Sequence, residues 1–371
     1  MTPPAPRPTH GRKPGRVVVA MSGGVDSSVA AAILKEEGWE AIGVGMQLWD
    51  YSEAKEGFGS CCSPFDVMDA RAVAARLGIP YYLQNFQEPF RRQVVDYFID
   101  EYRSGRTPSP CIVCNQRFKF DHLLKRAKEL GSEKVATGHY ARVLWREDER
   151  RYALYRGLDR AKDQSYFLFS LDQVQLATAM FPVGDLTKEE VRERARGLGL
   201  KTADKPESQD ICFVIGEKYS DFIHRQTGGD FRPGDIVDTS GRVLGKHAGL
   251  PRYTVGQRRG LGISAPRPLY VLQIDAPGNR LVVGHEEALG REAFTVSEVN
   301  WIANPPEKGD AEGVPAEVQI RHRHRPRPAR VFPLPEGRAR VEFHEPESGV
   351  APGQAAVFYR EDEVLGGGWI E

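Results

Sequence analysis

Three thiols and one glycine–serine loop carry the chemistry this sequence offers. Cys111 and Cys114 form a CxxC pair within Thr107-Pro108-Ser109-Pro110-Cys111-Ile112-Val113-Cys114-Asn115. A CxxC just ahead of a helix has its thiolate stabilised by the helix N-terminus, which lowers a thiol pKa. Flanking prolines and polar residues favour an exposed loop over two buried thiols. Cys212 stands alone among polar residues in Glu207-Ser208-Gln209-Asp210-Ile211-Cys212-Phe213. Joined to the CxxC pair it makes a three-thiol site. No second CxxC and no HxxxH follows, which argues against a Cys₄ or Cys₂His₂ zinc site. Adjacent Cys61 and Cys62 precede a helix cap and read as structural.

The loop is Ala20-Met21-Ser22-Gly23-Gly24-Val25-Asp26-Ser27-Ser28. It follows an apolar strand and opens a helix. Two glycines let the backbone turn tightly and approach a ligand closely. Serine hydroxyls and N-terminal amides then point at one spot, where the helix dipole favours an anion. Asp26 is placed to hold Mg²⁺ or to orient the loop. The GK[ST] ending of a Walker A loop is missing.

Three weaker groupings accompany these motifs. Gly138-His139-Tyr140 follows a strand and faces the same anion site. Lys162-Asp163-Gln164-Ser165-Tyr166-Phe167 combines cationic, amide and aromatic groups suited to RNA phosphates and bases. Arg321-His322-Arg323-His324-Arg325-Pro326-Arg327 is a dense basic stripe. Its bland reading is a solvated edge strand, blunted by charge and proline. On a chain of zero net charge, such clustering favours phosphate contacts.

The elements that position these residues follow from the pattern. Strands at Val17–Met21, Ala41–Met46, Ile79–Leu83 and Lys134–Thr137 alternate with helices. The helices run over Asp26–Glu37, from the Ser63 cap to Leu77, and over Phe90–Tyr102 and Phe118–Leu130. That alternation predicts a doubly wound parallel α/β sheet, with ligands at the carboxyl ends of its strands. Near residue 215 the pattern changes to short strands. Ser240-Gly241 and Pro277-Gly278-Asn279 mark hairpins, and Ala316–Ile320, Arg338–Phe343 and Ala355–Tyr359 read as further strands. The expected division is a tail over 1–15, an α/β domain over 16–216, a small β-rich central domain over 217–288 and a C-terminal β-barrel-like domain over 289–371.

Composition bounds the function. The 371 residues hold 51 Lys+Arg against 51 Asp+Glu, which excludes a wholly basic, histone-like binder but not a local basic patch. Charged residues at 27% and hydrophobic residues at 40% read as globular rather than disordered. No apolar run approaches the roughly 20 residues of a membrane span. The Pro-rich, basic first fifteen residues lack the apolar core of a secretory signal. Five cysteines are too few, and odd in number, for a disulfide scaffold, which suits a reducing cytoplasm.

The ordered set SGGVDSS, TPSPCIVCN, ATGHYAR, KDQSYFL, ESQDICF and RYTVGQRRGLGI, from Val17 to Trp369, resembles the bacterial and organellar tRNA 2-thiouridylases. The first motif resembles the PP-loop of the ATP pyrophosphatase superfamily. Lysidine, GMP and NAD synthetases share that loop alone and lack the paired cysteines. The resemblance implies ATP, with Mg²⁺, at Ala20, Met21, Ser22, Gly23, Gly24, Val25, Asp26, Ser27, Met46 and Gly138. It implies catalytic roles for Cys114 and Cys212, with Cys111 and Asp26 beside them. Cys212 would carry a persulfide sulfur, and Cys114 would resolve it, by releasing sulfide or by a disulfide with Cys212. Ser109, Pro110 and Cys111 would meet the target base. His139, Lys162, Asp163, Gln164, Arg321, His322 and Gln354 match tRNA-contacting positions. The implied substrates are tRNAs for Lys, Glu and Gln. The implied sulfur donor is a sulfur-relay protein or a cysteine desulfurase. Cys111 stands where some members carry Asp. A [4Fe–4S] cluster on Cys111, Cys114 and Cys212 is the alternative route to the same product. A PP-loop enzyme with a nitrogen nucleophile is the alternative reaction.

Overall fold

The computed structural model describes residues 15–50, 64–206, 211–229, 231–304 and 312–371. The first fourteen residues, Cys61, Cys62 and Glu207–Asp210 lie outside the described residues.

In the first half the strands are β1 (Arg16–Ala20), β2 (Glu40–Gln47), β3 (Tyr81–Asn85), β4 (Val135–Ala136), β5 (Ala141–Arg146), β6 (Arg151–Arg156) and β7 (Ala179–Met180). Five of them form one parallel sheet in the order β3-β2-β1-β4-β7. Val17, Val18 and Val19 have no exposed surface, as a β-branched run covered on both faces requires. The strand order reverses beside β1. The loops after β1 and β4 therefore leave the same crevice, where such sheets bind ligands.

The helices are α1 (Val25–Glu36), α2 (Pro64–Leu77), α3 (Gln87–Phe90), α4 (Asp96–Arg103), α5 (Pro110–Cys114), α6 (Leu123–Glu129), α7 (Gln173–Thr178), α8 (Lys188–Gly197) and α9 (Tyr219–Gln226). α1 ends as its sequence predicts. Gly38 takes φ +86°, and Trp39 N–H closes onto the Leu34 carbonyl at 3.0 Å. Two expected helices depart from regularity. Arg91–Val95 and Asn115–His122 are π-helical, joining α3 to α4 and α5 to α6. The CxxC pair thus lies in the first turn of a helix, not in a loop ahead of one. Pro110 accounts for the early start, because its fixed φ suits a first helical position.

β5 and β6 depart furthest from the sequence reading. They leave the parallel sheet as a hairpin and pair with the C-terminal barrel through β6. The barrel closes with β12 (Arg291–Trp301), β13 (Val314–Gln319), β14 (Arg327–Leu334), β15 (Arg338–Glu347), β16 (Ala355–Arg360) and β17 (Glu363–Ile370). β12 pairs with both β15 and β17, which completes the ring. A buried Arg151–Glu363 ion pair at 2.6 Å ties the hairpin to it. Between these bodies lies a small sheet in the order β10-β11-β8-β9. It consists of β8 (Gly234–Val237), β9 (Val243–His247), β10 (Tyr270–Asp275) and β11 (Arg280–Gly284). Both expected hairpins form there. Arg321–Pro326 is not an edge strand. It is the loop joining β13 to β14, and Pro326 and its crowded like charges suit a loop better than a ladder.

Candidate functional site

A cleft of about 1270 Å³ opens where the parallel sheet, the cysteine helix and the barrel meet. Its lining includes the loop after β1, all three cysteines, the segment after β4 and the β13–β14 loop.

The loop after β1 is held by its own side chains. Ser27 Oγ accepts from Ser22 N–H at 3.2 Å, and Ser28 Oγ donates to the Gly24 carbonyl at 2.8 Å. Gly23 takes φ +75°, and a Cβ there would overlap the Asp66 carbonyl. A Cβ on Gly138 would lie 2.6 Å from Ser27 N, so the chain after β4 packs directly on the loop. Asp26 is tied into the wall of the cleft. Its carboxylate accepts from Lys188 Nζ at 2.7 and 2.9 Å and from the Tyr140 hydroxyl at 2.8 Å. Lys188 is buried at the first position of α8, after the Thr187 cap. Lys205 Nζ braces the other side, donating to Asp66, Asp69 and the Gly23 carbonyl. Neither lysine was marked by the sequence reading. Each lies more than 130 residues from its partners. The only local signal was the Thr187/Glu190 capping box ahead of Lys188.

Cys111 is exposed on the first turn of α5, and Cys114 and Cys212 are half-buried against the main core. The α5 N-terminus favours negative charge at this turn. Phe213 anchors Cys212. Its ring meets Phe90, Phe98 and Phe222 at 5.8, 5.2 and 5.4 Å. The π-helical stretch after Cys114 frees carbonyls that a regular helix would use. Gln175 Nε2 donates to two of them, Gln116 and Phe120, each at 3.2 Å. From the barrel, Gln354 Nε2 donates to the Thr107 and Pro108 carbonyls at 3.0 and 3.2 Å. Gln354 therefore holds the cysteine segment and does not line the cleft. Ser109 is buried behind it, while Pro110 and Cys111 face the cleft.

His139 lines the cleft deep in its wall. Its Nδ1 pairs with Thr137 Oγ1 at 2.5 Å, and its Nε2 lies 3.3 Å from Lys119 Nζ. Burial first, and then the Lys119 charge, holds it well below the usual histidine range. It is a neutral acceptor for Lys119. Asp163 is consumed locally, accepting from Gly157 N–H, Ser165 N–H and Arg156. Arg156 in turn stacks 3.5 Å over the Tyr359 ring. Gln164 Oε1 accepts from Tyr140 N–H at 3.1 Å. Of Lys162, Asp163 and Gln164, Asp163 and Gln164 thus shape the wall, and Lys162 lines it. His322 lines the cleft, whereas Arg321 lies beside it against Ser348.

Among the described residues, no three His, Cys, Asp or Glu side chains converge as metal ligands. Both Asp26 oxygens are hydrogen-bonded, and the carboxylate still lines the cleft.

A glycine–serine loop at the switch point of a parallel sheet, facing thiols across one cleft, defines an ATP-using PP-loop enzyme. Three family models match in register with the three bodies. They are the tRNA methyl transferase HUP domain over residues 15–216, the tRNA methyl transferase PRC-barrel domain over 220–285 and the aminomethyltransferase beta-barrel domain over 291–370. A protein of Geotalea uraniireducens named tRNA-specific 2-thiouridylase MnmA is 54% identical, over 96% of this chain and 95% of its own. Proteins of the same name from Geobacter metallireducens and Carboxydothermus hydrogenoformans are 53% and 50% identical, each covering at least 96% of both chains. The chain belongs to the tRNA-specific 2-thiouridylase family.

Proposed function

We propose that this protein is an ATP-dependent tRNA-uridine 2-sulfurtransferase acting on the wobble uridine of tRNAs for Lys, Glu and Gln. The observation that carries the reading is the single cleft that joins the PP-loop, Cys111, Cys114 and Cys212 to the basic β13–β14 loop. The HUP-domain description speaks of methyl transfer; three thiols in the cleft favour sulfur transfer.

The uridine C2 oxygen attacks the α-phosphorus of ATP, and pyrophosphate leaves. The PP-loop amides and serine hydroxyls hold the phosphates, with Asp26 fixed by Lys188 so that the loop is shaped beforehand. Mg²⁺ bound to the ATP phosphates would neutralise the charge that develops on pyrophosphate, with Asp26 beside it in the cleft. Cys212 carries a persulfide taken from a sulfur-relay protein or cysteine desulfurase. Its terminal sulfur attacks C2 and displaces AMP. The Cys114 thiolate then attacks Cys212 Sγ, breaking the S–S bond. The products are 2-thiouridine and a Cys114–Cys212 disulfide, which an external dithiol reduces. To reach the cleft, the base leaves the anticodon stack. We infer a cytoplasmic location from the tRNA substrate. Among the described residues, no helix is long and apolar enough to cross a membrane.

The test supplies purified protein with ATP, a persulfide donor and tRNA, and reads nucleosides by mass spectrometry. 2-Thiouridine that is absent with Cys212→Ser supports the reading. Undiminished pyrophosphate release by both Cys114→Ser and Cys212→Ser, with an aminated nucleoside in place of 2-thiouridine, would favour a nitrogen nucleophile instead.

A further inference from the structure

The motif Arg252-Tyr253-Thr254-Val255-Gly256-Gln257-Arg258-Arg259-Gly260-Leu261-Gly262-Ile263 has no part in the cleft. It lies on the small central sheet, between β9 and β10. From Thr239 to Ile274 the chain has six Lys and Arg residues and no Asp or Glu. Most of the cations are neutralised by acids from elsewhere. Arg242 pairs with Asp238, Lys246 with Asp235, Arg252 with Asp221 and Arg267 with Glu287. Arg258 and Arg259 are different. Both are exposed, and among the described residues neither side chain has a hydrogen-bond or ion-pair partner.

The loop that displays them is built, not loose. Gly256 N–H donates to the Val271 carbonyl at 2.8 Å, and Val271 N–H returns to Gln257 at 3.0 Å. The Gln257 amide braces the turn from inside. It accepts from Thr254 N–H at 3.1 Å and donates to the Arg259 carbonyl at 2.8 Å. Gly256, Gly260 and Gly262 take φ of +86°, +83° and +69°, which fixes the turns around the two arginines. The loop also touches the barrel. A Cβ on Gly256 would meet Gly349 at 3.8 Å, and Gly349 lies against the Arg321 guanidinium. Arg321 opens the β13–β14 loop whose next residues line the cleft. The arginine loop and the β13–β14 loop thus meet through Gly256 and Gly349.

We propose that Arg258 and Arg259 form a second RNA-backbone contact, binding phosphates of the tRNA helix that adjoins the nucleotide held in the cleft. The inference rests on the reading of tRNA as substrate. A pair of unneutralised guanidiniums on a braced glycine turn suits bidentate phosphate oxygens. Bound to phosphates rather than base edges, it would position the RNA without selecting sequence.

Binding of a full-length tRNA transcript, followed by fluorescence anisotropy at several salt concentrations, tests the proposal independently of thiolation. Arg258→Ala/Arg259→Ala is compared with wild type and with Arg267→Ala, which removes one charge from the same loop but one already paired to Glu287. Both sites are exposed, and a melting temperature equal to wild type verifies folding. The double variant is expected to bind about tenfold more weakly near physiological salt. Its slope of log affinity against log salt should be shallower by about 1 to 2, as expected for two lost phosphate contacts. Arg267→Ala should match wild type. Equal affinity and slope for the double variant and wild type would overturn the proposal, as would an equal loss with Arg267→Ala. Failure of the wild type to bind tRNA at all would overturn both this contact and the substrate reading. Binding without thiolation would overturn the reaction alone.

Discussion

The PP-loop and the cysteine helix line one cleft but differ in how much of their shape is set locally. The loop after β1 takes its turn from its neighbours in sequence and is then braced from a distance by Lys188 and Lys205. Its serines bond within the loop, Gly23 makes the turn, and α1 follows as a regular helix with most of its residues buried. The cysteine helix is fixed from a distance. Gln354 reaches it from the barrel, Gln175 caps its π-helical carbonyls, and Asn115 donates to the Phe167 carbonyl at 3.1 Å.

The comparison breaks first at Gly23. Gly23→Ala places a methyl into the Asp66 carbonyl at a left-handed φ, and should cost about 3 kcal/mol of stability with loss of ATP-dependent activity. Thermal unfolding and pyrophosphate release measure the two effects. Lys188→Met removes the partner of Asp26 and should cost about 2 kcal/mol, discounted because the Asp26 side chain keeps 29% of its exposure. Steady-state kinetics should show it in kcat for pyrophosphate release, with tRNA affinity unchanged. On the other side of the cleft, Gln175→Leu should cost about 1 to 2 kcal/mol by orphaning the Gln116 and Phe120 carbonyls. Hydrogen exchange should then rise over Asn115–Leu124 and not over α1. Gln354→Leu should be milder, about 1 kcal/mol. It should reduce thiolation while leaving ATP binding intact.

The smallest effect is a pH dependence. His139 is neutral in the fold because burial, and then Lys119, disfavours its cation. Below the ordinary histidine range the unfolded chain takes up a proton that the folded chain refuses. Stability therefore falls as pH drops below about 6.5, by at most about 1.4 kcal/mol per pH unit for this one group. It stops falling only when the folded pKa is reached. His139→Gln should remove that share of the acid slope in a melting series from pH 7 to 5. His322 and His324, also held low by burial, should retain theirs.

These differences explain what was legible in the sequence. Where a neighbour decides the structure, the reading succeeds. The SGGVDSS loop, the Gly38 helix stop and both central hairpins follow from residues a few positions apart. Where a distant partner decides, it fails. Nothing local marks Lys188 as the partner of Asp26, or β5 and β6 as strands of a barrel begun 135 residues later. Periodicity also cannot show a π-helical turn, since one extra residue per turn leaves Phe118 and Phe120 both buried. The basic run after Arg321 had the right charge and the wrong element. It is a loop because β13 and β14 turn there to pair with each other.

The account turns on sulfur carried by Cys212 opposite the PP-loop. Peptide mass spectrometry of the protein after exposure to a persulfide donor tests this most directly, before and after a chase with ATP and tRNA. The account predicts a one-sulfur mass increment on the peptide containing Cys212, lost only when ATP and tRNA are both supplied. An increment confined to another cysteine, or discharge by tRNA without ATP, would contradict it.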